Sequence, residues 1–240
     1  MTALDVEAPR SRIVYRHTVL VRLCHWINAL CFVILLMSGL QIFNANPMLN
    51  WGADTDFQRP FLSLAPDGFP SWATLPSIQD LATGRRWHLF FAWALVANGA
   101  VYVLNLVAGR HIRDLWPNGA ELRSLPAAVV DHARLRFPRG VEALRYNVLQ
   151  KLAYLSVIVA LPMLVLAGLT MSPAMDSAFP WLLALFGGRQ SARSVHFLLA
   201  SYLVAFLVVH LVMVLVSGVF NNLRSMITGR YLIKEERHEH

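Results

Sequence analysis

The stretch from Ser194 to His210, SVHFLLASYLVAFLVVH, decides how this chain is read. It lies in an apolar run over 192–219, long enough to cross a bilayer at about 20 residues per span. Within it, His196 and His210 stand 14 positions apart. At about 100° per residue they fall within about 40° of one another around a helix, and at about 1.5 Å per residue they lie about 21 Å apart along it. One helix thus presents one imidazole near each membrane face, both towards the same neighbours. Ionisable side chains inside a span are costly to bury and mark function. The plainer alternative is two histidines bonded to backbone or hydroxyl groups. It leaves unexplained why two further histidines occur at matching depths.

Composition agrees with a membrane protein. Of 240 residues, 56% are hydrophobic and 15% charged, against about 25% charged in a soluble domain. The expected fold is all-α, an integral membrane four-helix bundle forming one domain over 1–240. The net charge of +7 would suit nucleic acid, but the basic residues flank the apolar runs. Membrane lipid is therefore the expected partner and nucleic acid is not. Cys24 and Cys31 share one apolar run and form neither a CxxC pair nor a CxxCH haem-attachment site. They read as packing residues, and any haem here is non-covalent. Residues 1–17 lack the apolar core of a secretory signal.

Four spans are expected, over 19–43, 82–108, 148–170 and 192–219. Residues 1–18 read as a short, frayed basic arm. The connection 44–81 is rich in Pro, Trp and Asp and too long for an idle bundle loop. The connection 109–147 is strongly basic. In it Asn118 is placed to cap a short helix with Leu122, Leu125 and Val129 on one stripe, lying on the membrane surface or solvated. Pro162 is expected to kink the third span. The C-terminal tail reads as solvated. Sixteen Lys and Arg fall on the side of the termini and five on the other. The excess places both termini, and 109–147, in the cytoplasm, with 44–81 outside.

That topology fixes depth. His25 lies about 9 Å into span one, and His210 about 14 Å from the end of span four, both measured from the cytoplasmic face. His88 and His196 lie within about 10 Å of the opposite face. The pairs His25–His210 and His88–His196 are the layout for two bis-histidine haems stacked through a bundle, because haem iron accepts neutral imidazole axially and bundle cores hold cofactors. A structural zinc site wants four clustered ligands, and these divide two and two. Arg22, Arg85 and Arg193 each precede a histidine by three positions, one helical turn towards water, where each can meet a haem propionate. They can equally be boundary arginines, although Arg85 and Arg193 fall on the side where the positive excess is absent. Gly39 and Gly99 return close to the histidine faces of their helices at the depth of the other haem. They leave room there for the ring or serve ordinary small-residue packing.

In these residues the chain resembles the bacterial cytochrome b561 family, grouped with the b-type subunits of nickel-iron hydrogenases and formate dehydrogenases. The resemblance is carried by Arg22-Leu-Cys-His25-Trp26, Arg85-Arg86-Trp87-His88, His196 and His210, within about residues 12–230. The stretch from Tyr146 to Tyr154, YNVLQKLAY, is also similar to cytochrome subunits of molybdenum oxidoreductases of the thiosulfate-reductase type. The resemblance implies two haem b groups, a quinone (ubiquinone or menaquinone) and a redox partner.

With both axial positions filled, each iron passes electrons and has no site for substrate. The expected function is electron transfer between a membrane quinone and a periplasmic redox protein or catalytic subunit docked on 44–81 and 171–191. Asn147, Gln150, Lys151 and Tyr154, at the start of span three, are the candidate quinone site. Lys151 on its own also reads as a snorkelling anchor. Two alternatives stand beside this reading. One is a superoxide:quinone oxidoreductase fed through Arg85, Arg86, Arg189 and Arg193. The other is a non-redox membrane carrier.

Overall fold

The computed structural model describes residues 11–109, 115–134 and 147–234. In chain order the elements are β1 (Ser11–Tyr15), α1 (Val19–Phe43), β2 (Met48–Leu49), β3 (Leu62–Ser63), α2 (Leu81–Ala108), α3 (Gly119–Arg123), α4 (Leu125–Ala133), α5 (Val148–Leu169), α6 (Pro173–Ala178), α7 (Pro180–Leu185), α8 (Arg189–Val216), α9 (Val219–Thr228) and β4 (Arg230–Lys234). Four of these, α1, α2, α5 and α8, are long and apolar enough to cross a membrane. The protein is thus all-α in class, with the four spans of a membrane helix bundle. Its large apolar side chains point outward, among them Val33, Phe90 and Leu104, while Cys31, Ser38, Ala167 and Ser194 are buried. Small residues inside and large ones outside are the pattern of helices that pack closely and face lipid.

The chain forms two compact units, and each long helix contributes a segment to both. The termini-bearing unit draws on 1–23, 106–155 and 208–240. Here β1 pairs antiparallel with β4, from Ser11 opposite Lys234 to Tyr15 opposite Arg230. Residues 11–15 are therefore a strand and not the frayed arm the sequence suggested. The Asn221 side chain clamps the free side of β4, donating to the Leu232 carbonyl and accepting from the Leu232 N–H, each at 2.9 Å. Gly229, at φ +80°, makes the turn into β4, where a Cβ would stand 2.5 Å from the Tyr15 ring. Asn118 caps α3 through a reciprocal capping box with Glu121. Lys151 at the start of α5 reaches across to Glu121 at 2.8 Å. The capping box fixes Glu121 within α3, and the Lys151 contact ties α3 to α5. The Lys151 ammonium, together with the Asn118 N–H, holds the Glu121 carboxyl below the usual carboxylate range.

The loop-bearing unit draws on 24–105 and 156–207. Its long 44–81 connection folds over the start of α8 and satisfies backbone donors that a helix N-terminus leaves open. The Gly52 carbonyl accepts from Gln190 N–H at 3.0 Å and Ser191 N–H at 3.1 Å. In return Gly52 N–H donates to Ser191 Oγ at 2.7 Å, and Ser194 Oγ donates to the Asn50 carbonyl at 2.6 Å. This latch draws the helix start back to Arg189, three residues before the expected span. The other end stops at Val216, because Gly218 takes a left-handed φ of +108°. Asp80 caps α2 by accepting from Thr83 N–H at 3.0 Å, and bonds to Thr83 hold its carboxyl below the ordinary value. Helix α5 runs through Pro162 as one element.

Candidate functional site

Helices α2 and α8 bring His88 and His196 together in the loop-bearing unit, with ring centroids 6.1 Å apart and planes at 61°. His196 Nδ1 donates to the Leu164 carbonyl of α5 at 2.8 Å. A carbonyl only accepts, so the proton is on Nδ1 and the Nε2 lone pair is left as the ligating atom. His88 is held in the same manner. Ser38 Oγ donates to the Ile34 carbonyl at 2.7 Å and lies 3.1 Å from His88 Nδ1, which it can therefore accept from. Both imidazoles are fixed from behind on their Nδ1 side, as metal-binding histidines usually are.

Two glycines make the pocket for these rings. A Cβ on Gly168 would stand 3.1 Å from His196 Cε1 and 3.2 Å from Nδ1. A Cβ on Gly39 would stand 3.4 Å from His88 Cε1. The spacing of the rings is the test of fit for haem. Two iron–nitrogen bonds of about 2 Å each, plus a ring radius of about 1.1 Å on either side, put the centroids of two axial imidazoles about 6 Å apart. The observed separation agrees. Among the described residues no three His, Cys, Asp or Glu side chains gather as a clustered metal site would require.

His25 belongs to the loop-bearing unit and His210 to the termini-bearing unit. His25 meets the edge of Trp26, centroids 5.2 Å apart. Around it lies a buried amide missed at the sequence level. Asn98 Nδ2 donates to the Cys24 carbonyl at 2.9 Å and to Asn28 Oδ1 at 2.6 Å. The signal was present as an uncharged polar residue in the middle of a span.

The flanking arginines differ from one another. Arg193 donates to the carbonyls of Asn46 and Met48 and lies over the Phe43 ring at 5.4 Å. It anchors the 44–81 connection. Arg22 donates to the Ile227 carbonyl, and Arg85 is exposed. Gly99 faces open space, with nothing within 4 Å of a Cβ placed there. At the start of α5, Asn147 Oδ1 accepts from Gln150 N–H at 2.9 Å and Gln150 Oε1 accepts from Asn147 N–H at 3.2 Å. These two residues thus form a capping box. Asn147 Nδ2 also lies 3.2 Å from His132 Nε2. Tyr154 is half-buried one turn beyond.

A family model described as prokaryotic cytochrome b561 matches residues 16–229. The chain is also similar to a putative protein-methionine-sulfoxide reductase subunit, YedZ1, of Azospira oryzae (strain ATCC BAA-33 / DSM 13638 / PS). The two are 33% identical over 199 residues, covering 82% of this chain and 89% of that one.

Proposed function

Since this chain belongs to the prokaryotic cytochrome b561 family, we propose that it is a two-haem membrane subunit that carries electrons between a quinone and a catalytic redox partner. One observation carries the reading. His88 and His196 face one another at the separation of two axial imidazoles, each with its Nδ1 side held by the protein. His88 and His196 would hold a haem between them, and that haem would supply one-electron exchange. The protein's own part is to hold the two rings, fix the proton on Nδ1 and keep the site inside the membrane. His25 and His210 are assigned to the second haem from their depth in the sequence.

We place the termini on the cytoplasmic side of a bacterial inner membrane, from the distribution of Lys and Arg. The partner then docks on the opposite side, on 44–81 and 171–191. We take it to be a further subunit of a reductase, since the Azospira relative is named as a subunit of one. The quinone, ubiquinone or menaquinone, is assigned to the start of α5 beside Asn147, Gln150, Lys151 and Tyr154. Supporting electron transfer over superoxide oxidation, Arg189 is paired with Asp176 and Arg193 is held by carbonyls. That weakens the outer anion-attracting surface which superoxide chemistry needs.

The test is a dithionite-reduced minus oxidised spectrum with haem quantitation, on the wild type and on His25→Ala, His88→Ala, His196→Ala and His210→Ala. Two haems per chain, with a loss in each variant, is the expected result. One haem per chain, or four variants that keep the wild-type content, would overturn the assignment.

A further inference from the structure

In the termini-bearing unit, α4 meets the head of α5 through two side chains that the haem histidines do not involve. His132, half-buried in the last turn of α4, lies with Nε2 3.2 Å from Asn147 Nδ2. The protons at this joint follow from its outer contacts. His132 Nδ1 is 2.9 Å from the Ala128 carbonyl. A carbonyl only accepts, so Nδ1 carries the proton and Nε2 is an acceptor. Asn147 Oδ1 accepts from the Gln150 N–H at 2.9 Å. That bond fixes the orientation of the amide and directs Nδ2 at His132 as a donor. A neutral histidine thus locks the residue that caps α5.

A proton added at Nε2 reverses the fit. The charged ring has two donors and no acceptor. Its Nε2–H would then face an N–H of Asn147 across 3.2 Å. Turning the amide offers Oδ1 to the ring, but withdraws it from the Gln150 N–H. That donor is among those a helix start leaves open unless a side chain meets it. Among the described residues, the charged groups about the joint are Glu121, Lys151, Asp131 and Arg134. Glu121 of α3 is bonded to Lys151 of α5 and to the Asn118 N–H. Asp131 and Arg134 flank His132 on its own segment and are exposed. Histidine is the side chain suited to such a change between about pH 5 and 8.

We propose that His132 is a proton switch on the quinone site. Neutral, it keeps Asn147 and Gln150 closed in the α5 cap. Charged, it turns Asn147 and opens the Gln150 N–H and Asn147 Nδ2 to a quinone carbonyl. As the residues stand, Asn147 bonds to Gln150 and to His132, so both of those donors are taken. A carbonyl ligand needs them released, and the charged ring releases them. Quinone binding here rests on the siting given above, whereas the switch within the cap does not.

The test uses the full-length protein in detergent, with the variants His132→Gln and Asn147→Asp. Hydrogen exchange at the Gln150 amide, corrected for the intrinsic effect of pH, is followed from about pH 8 to about pH 5. A short-chain ubiquinone and a short-chain menaquinone are titrated at both ends of that range. In the wild type, acidification should speed exchange about fivefold, as for loss of an N-cap, and tighten quinone binding. His132→Gln, whose side-chain oxygen can accept from Asn147 but takes no proton, should show neither change. Asn147→Asp should reverse the sign, with exchange slowing on acidification. A carboxylate caps Gln150 with one oxygen and meets the charged ring with the other. That variant decides the matter if His132→Gln does not accumulate. Wild-type exchange that ignores pH, or that responds equally in His132→Gln, overturns the switch. A response in exchange without any quinone binding, or with binding indifferent to pH, overturns the link to quinone and leaves the switch in the cap standing.

Discussion

Replacing Gly168 by alanine tests the histidine pocket directly. The new methyl would stand 3.1 Å from His196 Cε1 and 3.2 Å from its Nδ1, where ordinary contact begins near 3.4 Å. The ring must therefore retreat by roughly 0.3 Å, and the atom it retreats with is the Nδ1 that bonds to Leu164 on the same helix. Overpacking of this kind costs about 1–3 kcal/mol. Disturbing the bond behind a metal-ligating histidine lowers metal affinity about 10- to 100-fold. The expected result is a Gly168→Ala protein that keeps its helical content and loses most of one haem, with a shifted low-spin ferric signal in electron paramagnetic resonance for what remains. Gly39→Ala, at 3.4 Å from His88, is the graded control and should show a smaller change in the same direction. A Gly168→Ala protein with wild-type haem content and an unshifted signal would refute the claim that His196 holds iron with its Nδ1 side fixed against α5.

Further predictions follow from the same contacts. Ser38→Ala removes the acceptor behind His88, so haem retention after dilution should fall about tenfold or more, read by the absorbance of the gel-filtered protein. Glu121→Gln tests the clamp between α3 and α5. The folded-state carboxyl is depressed, so its contribution is present at neutral pH and is lost as pH falls through that lowered value. Wild type should lose its Tm advantage over Glu121→Gln on acidification, and an unchanging gap between the two would count against the clamp. Gly229→Ala puts a Cβ 2.5 Å from the Tyr15 ring at φ +80°, so thermal unfolding in detergent should show a loss of about 1–3 kcal/mol. Haem content should be kept in that variant.

The spans, and the approach of His88 to His196, were legible because depth in a membrane can be counted. A rise per residue and an apolar run give the level of each imidazole without tertiary information. What the sequence did not carry was contact between distant residues. Residues 11–15 and 230–234 pair across more than 200 positions, and nothing local marks them as strands. Arg193 reads as a propionate ligand from its place before His196, yet the folded 44–81 connection supplies carbonyls that bind it. Asn147 and Gln150 show a further ambiguity. Polar residues three apart at the head of an apolar run are the sign of a capping box as well as of a polar notch. Lys151 could not be separated from a snorkelling anchor until Glu121, 30 positions away, was placed beside it.

The pairing of Ser11–Tyr15 with Arg230–Lys234 has a practical outcome. Because those two segments are stitched edge to edge, Ser11 and Lys234 stand side by side on one ribbon. Reporters inserted next to Ser11 and next to Lys234 are expected to report one and the same compartment. A split fluorescent protein divided between the two should reassemble within a single molecule, and its glow would then register closure of the ribbon in living cells.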